Sequence, residues 1–133
     1  MGDVMGGELP SVDAAVVASL RDLEGPDDPN FFAELVDQFV KHADGAVPGI
    51  RGAAVAGDSK QVESLAHGLK GSSGNMGAMR MHRLCSELQK AGSSAALGGA
   101  AATLDALAAE YALVRARLLQ EAGRRPAPPA DAR

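Results

Sequence analysis

Gln61-Val62-Glu63-Ser64-Leu65-Ala66-His67-Gly68-Leu69-Lys70-Gly71-Ser72-Ser73-Gly74-Asn75-Met76-Gly77 carries two patterns written over each other. Val62, Leu65, Leu69, Ser72 and Met76 fall at alternating spacings of three and four, the stripe of an amphipathic helix. On another face sit His67, Lys70, Gly71 and Gly74. Each helical residue turns by about 100°, so positions i+3, i+4 and i+7 gather around position i. Lys70, Gly71 and Gly74 therefore surround His67.

A glycine inside a helix costs roughly 1 kcal/mol relative to alanine. Two glycines beside an ionisable residue that points away from the apolar stripe have a simple physical reason, which is clearance. One bare turn leaves about 6 Å of uncovered helix next to the imidazole, where another protein can approach. Lys70 adds a positive charge within reach of whatever the imidazole carries.

His67-Gly68-Leu69-Lys70-Gly71-Ser72-Ser73, followed by Gly77-Ala78, resembles the signature of histidine-containing phosphotransfer (HPt) domains. The resemblance runs from about Asn30 to Leu119 and is strongest from Leu65 to Leu88. It implies a four-helix bundle in which His67 accepts a phosphoryl group, Lys70 steadies its oxygens and Gly71 gives a partner room. Gly68 and Gly74 become candidates for contact with that partner. It also implies who the partners are: the receiver domain of a response regulator, which brings the phosphorylated aspartate and the Mg²⁺, and a hybrid histidine kinase. The chain itself would bind no cofactor, and would be a phosphotransfer intermediate with no ATP-dependent kinase activity of its own.

The rest of the chain agrees with an all-α, up-down-up-down bundle. The hydrophobic fraction is 46%, yet aromatics are only 3% and tryptophan is absent, a composition suited to closely packed helices. Ser11 can cap a short helix with Val12, Val16, Leu20 and Leu23 inward, packed on one end of the bundle. Gly25-Pro26-Asp27-Asp28-Pro29 stops it. A longer helix starts near Asn30 and keeps Phe32, Leu35, Val36, Phe39, Ala43, Val47, Ile50 and Ala54 in register to Gly57, kinked at Pro48. Asp58 or Ser59 caps the His67 helix, which fades near Asn75 to Gly77. A further helix from Ala78 to Lys90 turns Ala78, Met81, Leu84, Cys85 and Leu88 inward, and Ala91 to Ser94 make a turn. The last helix covers Ala96 to Ala122, with Leu97, Ala101, Leu104, Leu107, Ala108, Tyr111, Val114 and Leu118 as its stripe. The domain thus spans 11–122, between a disordered stretch at 1–10 and a Pro/Arg-rich disordered tail at 123–133.

Charge narrows the partners. Residues 1–44 hold ten acids and two bases, whereas residues 60–90 hold five bases and two acids, on a chain of net charge -4. The bases near His67 are sparse and have no interleaved aromatics, which argues against nucleic acid and for a small acidic protein surface. No run of 18 apolar residues is present, so no membrane span is expected. The lone Cys85 excludes an internal disulfide framework, and a cytoplasmic protein is expected. A monomer is expected too, since no apolar heptad seam is left once the core is filled.

Other chemistries are weaker. Gly71, Gly74 and Gly77 lack the spacing and the preceding strand of a phosphate-binding loop. His82 and Cys85 stand at metal-ligand spacing, but two ligands do not make a site. Ser72 and Ser73 have no nucleophile elbow around them and are expected to pack or cap. His42 reads as a solvent-facing residue. The rival to phosphotransfer is a helical adaptor that binds receiver or kinase domains without the chemistry. A second rival is the substrate module of a larger kinase.

Overall fold

Asp58 starts the helix that carries His67, its Oδ1 accepting from the Gln61 amide at 3.1 Å. In a computed structural model of the protein, which describes residues 10–123, this helix is the third of five. They are α1 (Ala14–Arg21), α2 (Phe31–Val55), α3 (Ser59–Asn75), α4 (Met79–Ser93) and α5 (Ala101–Glu121). Among the described residues there is no strand, only an isolated bridge between Gly25 and Asp28. From α2 to α5 each helix packs on its sequence neighbour, and α5 closes the ring against α2. The all-α four-helix bundle expected from the sequence is the observed fold. The stretches read as disordered lie, apart from Pro10 and Gly123, outside the described residues.

The core is mainly aliphatic, with Phe32, Phe39 and Tyr111 as its aromatic residues. Phe32, Val36, Phe39 and Ile50 of α2 meet Val62 and Leu69 of α3, Met81, Cys85 and Leu88 of α4, and Leu107, Val114 and Leu118 of α5. Pro48 lies inside an unbroken α2. It and Asp44, whose carbonyl loses its donor, both lie on the exposed face of α2. On α3 Val62 and Leu69, with Met76 just past its end, are buried as expected, and Ala66 and Ser73 are buried beside them. Leu65 and Ser72 are only half-buried. The small Ala66 lets a neighbouring helix approach where Leu65 was expected to point inward.

Two helix ends differ from expectation. Ser11 does not cap α1; the Asp13 side chain accepts from the Ala15 amide at 2.9 Å instead. Asp13 N also donates to the Gly77 carbonyl at 2.9 Å, which fastens α1 to the end of α3. Gly77 has φ +80, and a Cβ there would lie 2.9 Å from Val16 Cβ, so both conformation and space demand glycine. Val12 and Val17 are buried, while Leu23 is 64% exposed. The Arg21 guanidinium stacks 4.7 Å above the Phe32 ring and bonds to Glu121. Thus α1 sits on the bundle end where α2 starts and where α3 and α5 finish. The second difference is at Ala91 to Ser94. The turn falls later, at Ser94 and Ala95; α4 runs on to Ser93 with Gly92 buried against α3.

The last helix begins late, after a 3-10 turn at Leu97–Gly99. Ala101 and Ala108 face solvent, and Glu110 is buried at 4% exposure with Arg80 3.5 Å from it. The outer face of α5 exposes Ala102, Ala106, Ala109, Leu113 and Ala116 at alternating spacings of four and three. An apolar stripe therefore does remain once the core is filled, against the reason given above for a monomer.

Burial makes the fold sensitive to alkali. Desolvation pushes the Cys85 thiol up to about 12. Desolvation, and then the Asp44 carboxylate that accepts its hydroxyl at 2.6 Å, push Tyr111 upward as well. Both groups hold their protons longer when folded than when unfolded. Their contribution is complete below the unfolded values, near pH 9 for the thiol, and is lost as pH rises through the window to about 12. The melting temperature should be flat from pH 7 to 8 and fall steadily above about pH 9. A flat profile to pH 11 would refute this.

Candidate functional site

His67 is exposed near the middle of α3. The Gln89 amide nitrogen of α4 lies 3.1 Å from its Nδ1. In that orientation the amide donates, Nδ1 accepts and Nε2 carries the proton. A half-turn of the amide presents Oε1, Nδ1–H donates to it, and Nε2 keeps its lone pair. In both cases Nδ1 is the nitrogen held by the bundle and Nε2 the one left for chemistry. The second arrangement makes Nε2 a nucleophile.

The neighbours of His67 divide into two kinds. Gly68 and Gly71 are exposed, and a Cβ at either would meet nothing within 4 Å. The helix beside the imidazole is thus open to a partner. Gly74 differs. A Cβ there would lie 3.0 Å from His82 Nδ1, so its bareness is used inside the bundle by α4. Lys70 is half-buried one turn after His67. Its carbonyl, an obligate acceptor, takes a hydrogen bond from His82 Nδ1 at 2.9 Å, which fixes that nitrogen as protonated. His82 therefore ties α4 to α3 one turn from the site.

The remaining sequence candidates fall away from the chemistry. Ser72 Oγ donates back to the Gly68 and Leu69 carbonyls at 3.2 Å, and Ser73 Oγ to the Lys70 carbonyl at 3.1 Å. Both hydroxyls are consumed within their own helix. Cys85 is buried, and among the described residues no three His, Cys, Asp or Glu side chains converge as metal ligands would. His42 is exposed on α2 in a groove of about 290 Å³ shared with Leu35, Phe39, Ser72 and Met76.

Gln89 was not foreseen. It looks like any polar residue of an amphipathic helix, and only the antiparallel register of α4 on α3 brings it to His67. Gln89→Ala frees the imidazole rather than removing it, so uptake of an electrophilic group at His67 Nε2 should slow about threefold to tenfold without a change in partner affinity. Rapid-quench uptake beside a binding titration checks this. An unchanged uptake rate would show that the contact does not position the ring.

Comparison with known proteins gives concordant matches. The model of a family described as the Hpt domain matches residues 34–129. Multistep phosphorelay regulator 1 of Schizosaccharomyces pombe (strain 972 / ATCC 24843) is 30% identical over 82 residues, which is 62% of this chain and 28% of that protein. The chain thus spans little more than a quarter of that relative's length. The crystal structure of histidine-containing phosphotransfer protein B from Pseudomonas aeruginosa PAO1 superposes with a TM-score of 0.77 at 31% identity, covering 90% of this chain and 100% of that one.

Proposed function

We propose a function from one premise: this chain belongs to the Hpt domain family. It is a histidine phosphotransfer protein of a phosphorelay, accepting a phosphoryl group on His67 from the aspartate of a receiver domain and donating it to another. The observation that carries this reading is the exposed His67 imidazole, held at Nδ1 by Gln89 and flanked by Lys70 and the bare helix at Gly71.

Phosphoryl transfer passes through a loose transition state, so the protein's part is positioning and charge neutralisation. Nε2 of neutral His67 attacks the phosphorus of the aspartyl phosphate. The N–P bond forms as the O–P bond breaks, and the electron pair leaves with the aspartate as carboxylate. The Nδ1 proton stays in place, donated to Gln89 Oε1, and the ring becomes a phosphoimidazolium. Lys70 offsets the charge on the phosphoryl oxygens. The receiver supplies the aspartate and its Mg²⁺; this chain supplies the nucleophile and the room to reach it.

Docking uses the His67 face and the adjoining groove between α2 and α3, lined by Leu35, Phe39, His42 and Met76. Response-regulator receivers and a hybrid histidine kinase are the partners of this reading. No described helix is long and apolar enough to cross a membrane. The buried Cys85, a thiol left free, goes with a cytoplasmic setting. The test is transfer from a phosphorylated receiver. Acid-labile, base-stable label on this chain is expected. Binding without label, across several receivers, would leave a helical adaptor.

A further inference from the structure

The His67 imidazole faces the N-terminal half of its helix. A helical side chain leans toward the N-terminus and covers the turn before its own Cα. The imidazole accordingly lines an open groove of about 700 Å³ whose other α3 residues all precede it, from Lys60 to Ser64. Gln89, which holds Nδ1, lines the same groove from α4. Lys70 and Gly71 do not line it. Lys70 lines a separate groove of about 470 Å³ that His67 does not share.

Lys60 is the one cation lining the His67 groove besides the imidazole itself. Positions 60 and 67 are two turns apart, about 10 Å along the helix and within about 20° of each other around it. The imidazole covers part of that rise by leaning back, and the flexible four-carbon stem of the exposed lysine covers the rest. Two acids share the groove. Asp58 is engaged as the cap of α3, accepting from the Gln61 amide, and Glu63 is half-buried. Without Lys60 the lining would offer an incoming anion two carboxylates and no ammonium. Lys60 also stands where a lysine does not help its helix. It lies in the first turn of α3, at the positive end of the helix dipole, where a cation is unfavourable.

Resting on the reading of His67 as phosphoacceptor, we infer that the groove between Lys60 and His67 is the seat of the transferred phosphoryl group, and that Lys60 binds its oxygens there from the side opposite Lys70. The group carries a charge of about -1.5 to -2, more than one lysine offsets. Lys60 contacts it after transfer. It therefore stabilises the phosphorylated chain relative to the phosphorylated receiver, and raises the share of phosphoryl group held here at equilibrium. The bonds made and broken are those of the transfer step above; Lys60 adds only electrostatic contacts.

The experiment is the equilibrium partition of label between a receiver and the full chain, both dilute enough that no complex accumulates, for wild type, Lys60→Gln and Lys60→Arg. A unit charge about 5 Å from another in water-like surroundings is worth about a fourfold change in equilibrium constant. Lys60→Gln should move the partition about fourfold toward the receiver, and Lys60→Arg should restore it. The melting temperature of Lys60→Gln should not fall, because the lysine opposes the dipole of its own helix. A Lys60→Gln partition within about twofold of wild type would overturn the inference. So would a Lys60→Arg protein displaced as far as Lys60→Gln, since the charge would then not be what holds the group. A slower rate with an unmoved partition would also overturn it and assign Lys60 to docking. No label on the wild type would instead overturn the reading of His67, and this inference would fall with it.

Discussion

His67→Gln is expected to take no phosphoryl group from any receiver that labels the wild type, a loss of at least about a thousandfold. Glutamine keeps the length and polarity of the side chain but has no nitrogen lone pair to attack phosphorus. The substitution is also structurally mild, because His67 is exposed and its one side-chain bond among the described residues is to Gln89. Melting temperature and receiver affinity should stay near wild type, which separates lost chemistry from lost fold. Retained label would move the acceptor elsewhere. His82 is the poorer alternative, because its Nδ1 is bound to the Lys70 carbonyl between two packed helices. His42, exposed in the α2–α3 groove, would be the residue to substitute next.

Gly92→Ala is expected to destabilise the protein by about 2 kcal/mol or more, despite alanine's better helix propensity. A Cβ at Gly92 would lie 2.6 Å from Glu63 N, 2.8 Å from Ser59 O and 2.9 Å from Glu63 Cα. All three are backbone atoms, so no rotamer change relieves the clash and α4 must move off α3. The melting temperature should fall by roughly 10 °C. Phosphoryl uptake should fall with it, since the same movement separates Gln89 from His67. Gly71→Ala is the control: its Cβ would meet nothing within 4 Å. That variant should be more stable by up to about 1 kcal/mol and should transfer more slowly, because the methyl group occupies space a receiver needs. A Gly92→Ala protein as stable as wild type would mean that the two helices separate at little cost.

The bundle was legible because its helices are long and their apolar periods sustained. Phe32 to Ile50 and Met81 to Leu88 are buried largely as their spacing requires. Reading failed where small residues decide. Gly92 looks like turn punctuation in the sequence, yet it is the point of closest helix approach. Ala66 is buried beside a half-buried Leu65, since a methyl group fits where two helices approach closely, and Ser73 is buried with its hydroxyl bonded to the Lys70 carbonyl. Glu110 was missed because a buried carboxylate has no periodic signature; only its neighbour Arg80, on another helix, reveals it. At the site, His67, Lys70 and Gly71 could be read from one helix turn. Gln89 and the difference between Gly71 and Gly74 could not, since both depend on what α4 brings across.

Every contact that shapes the site closes within one helical hairpin, and that has a consequence for assembly. His67 and Gln89 are 22 residues apart in the chain, whereas the Tyr111–Val40 hydrogen bond that joins α5 to α2 spans 71. Loop-closure entropy grows with the logarithm of that separation, so the longer closure costs about 1 kcal/mol more. Contacts of short separation also form faster. The imidazole, its orienting amide and Lys70 thus belong to the part of the fold that closes at the smaller entropic cost.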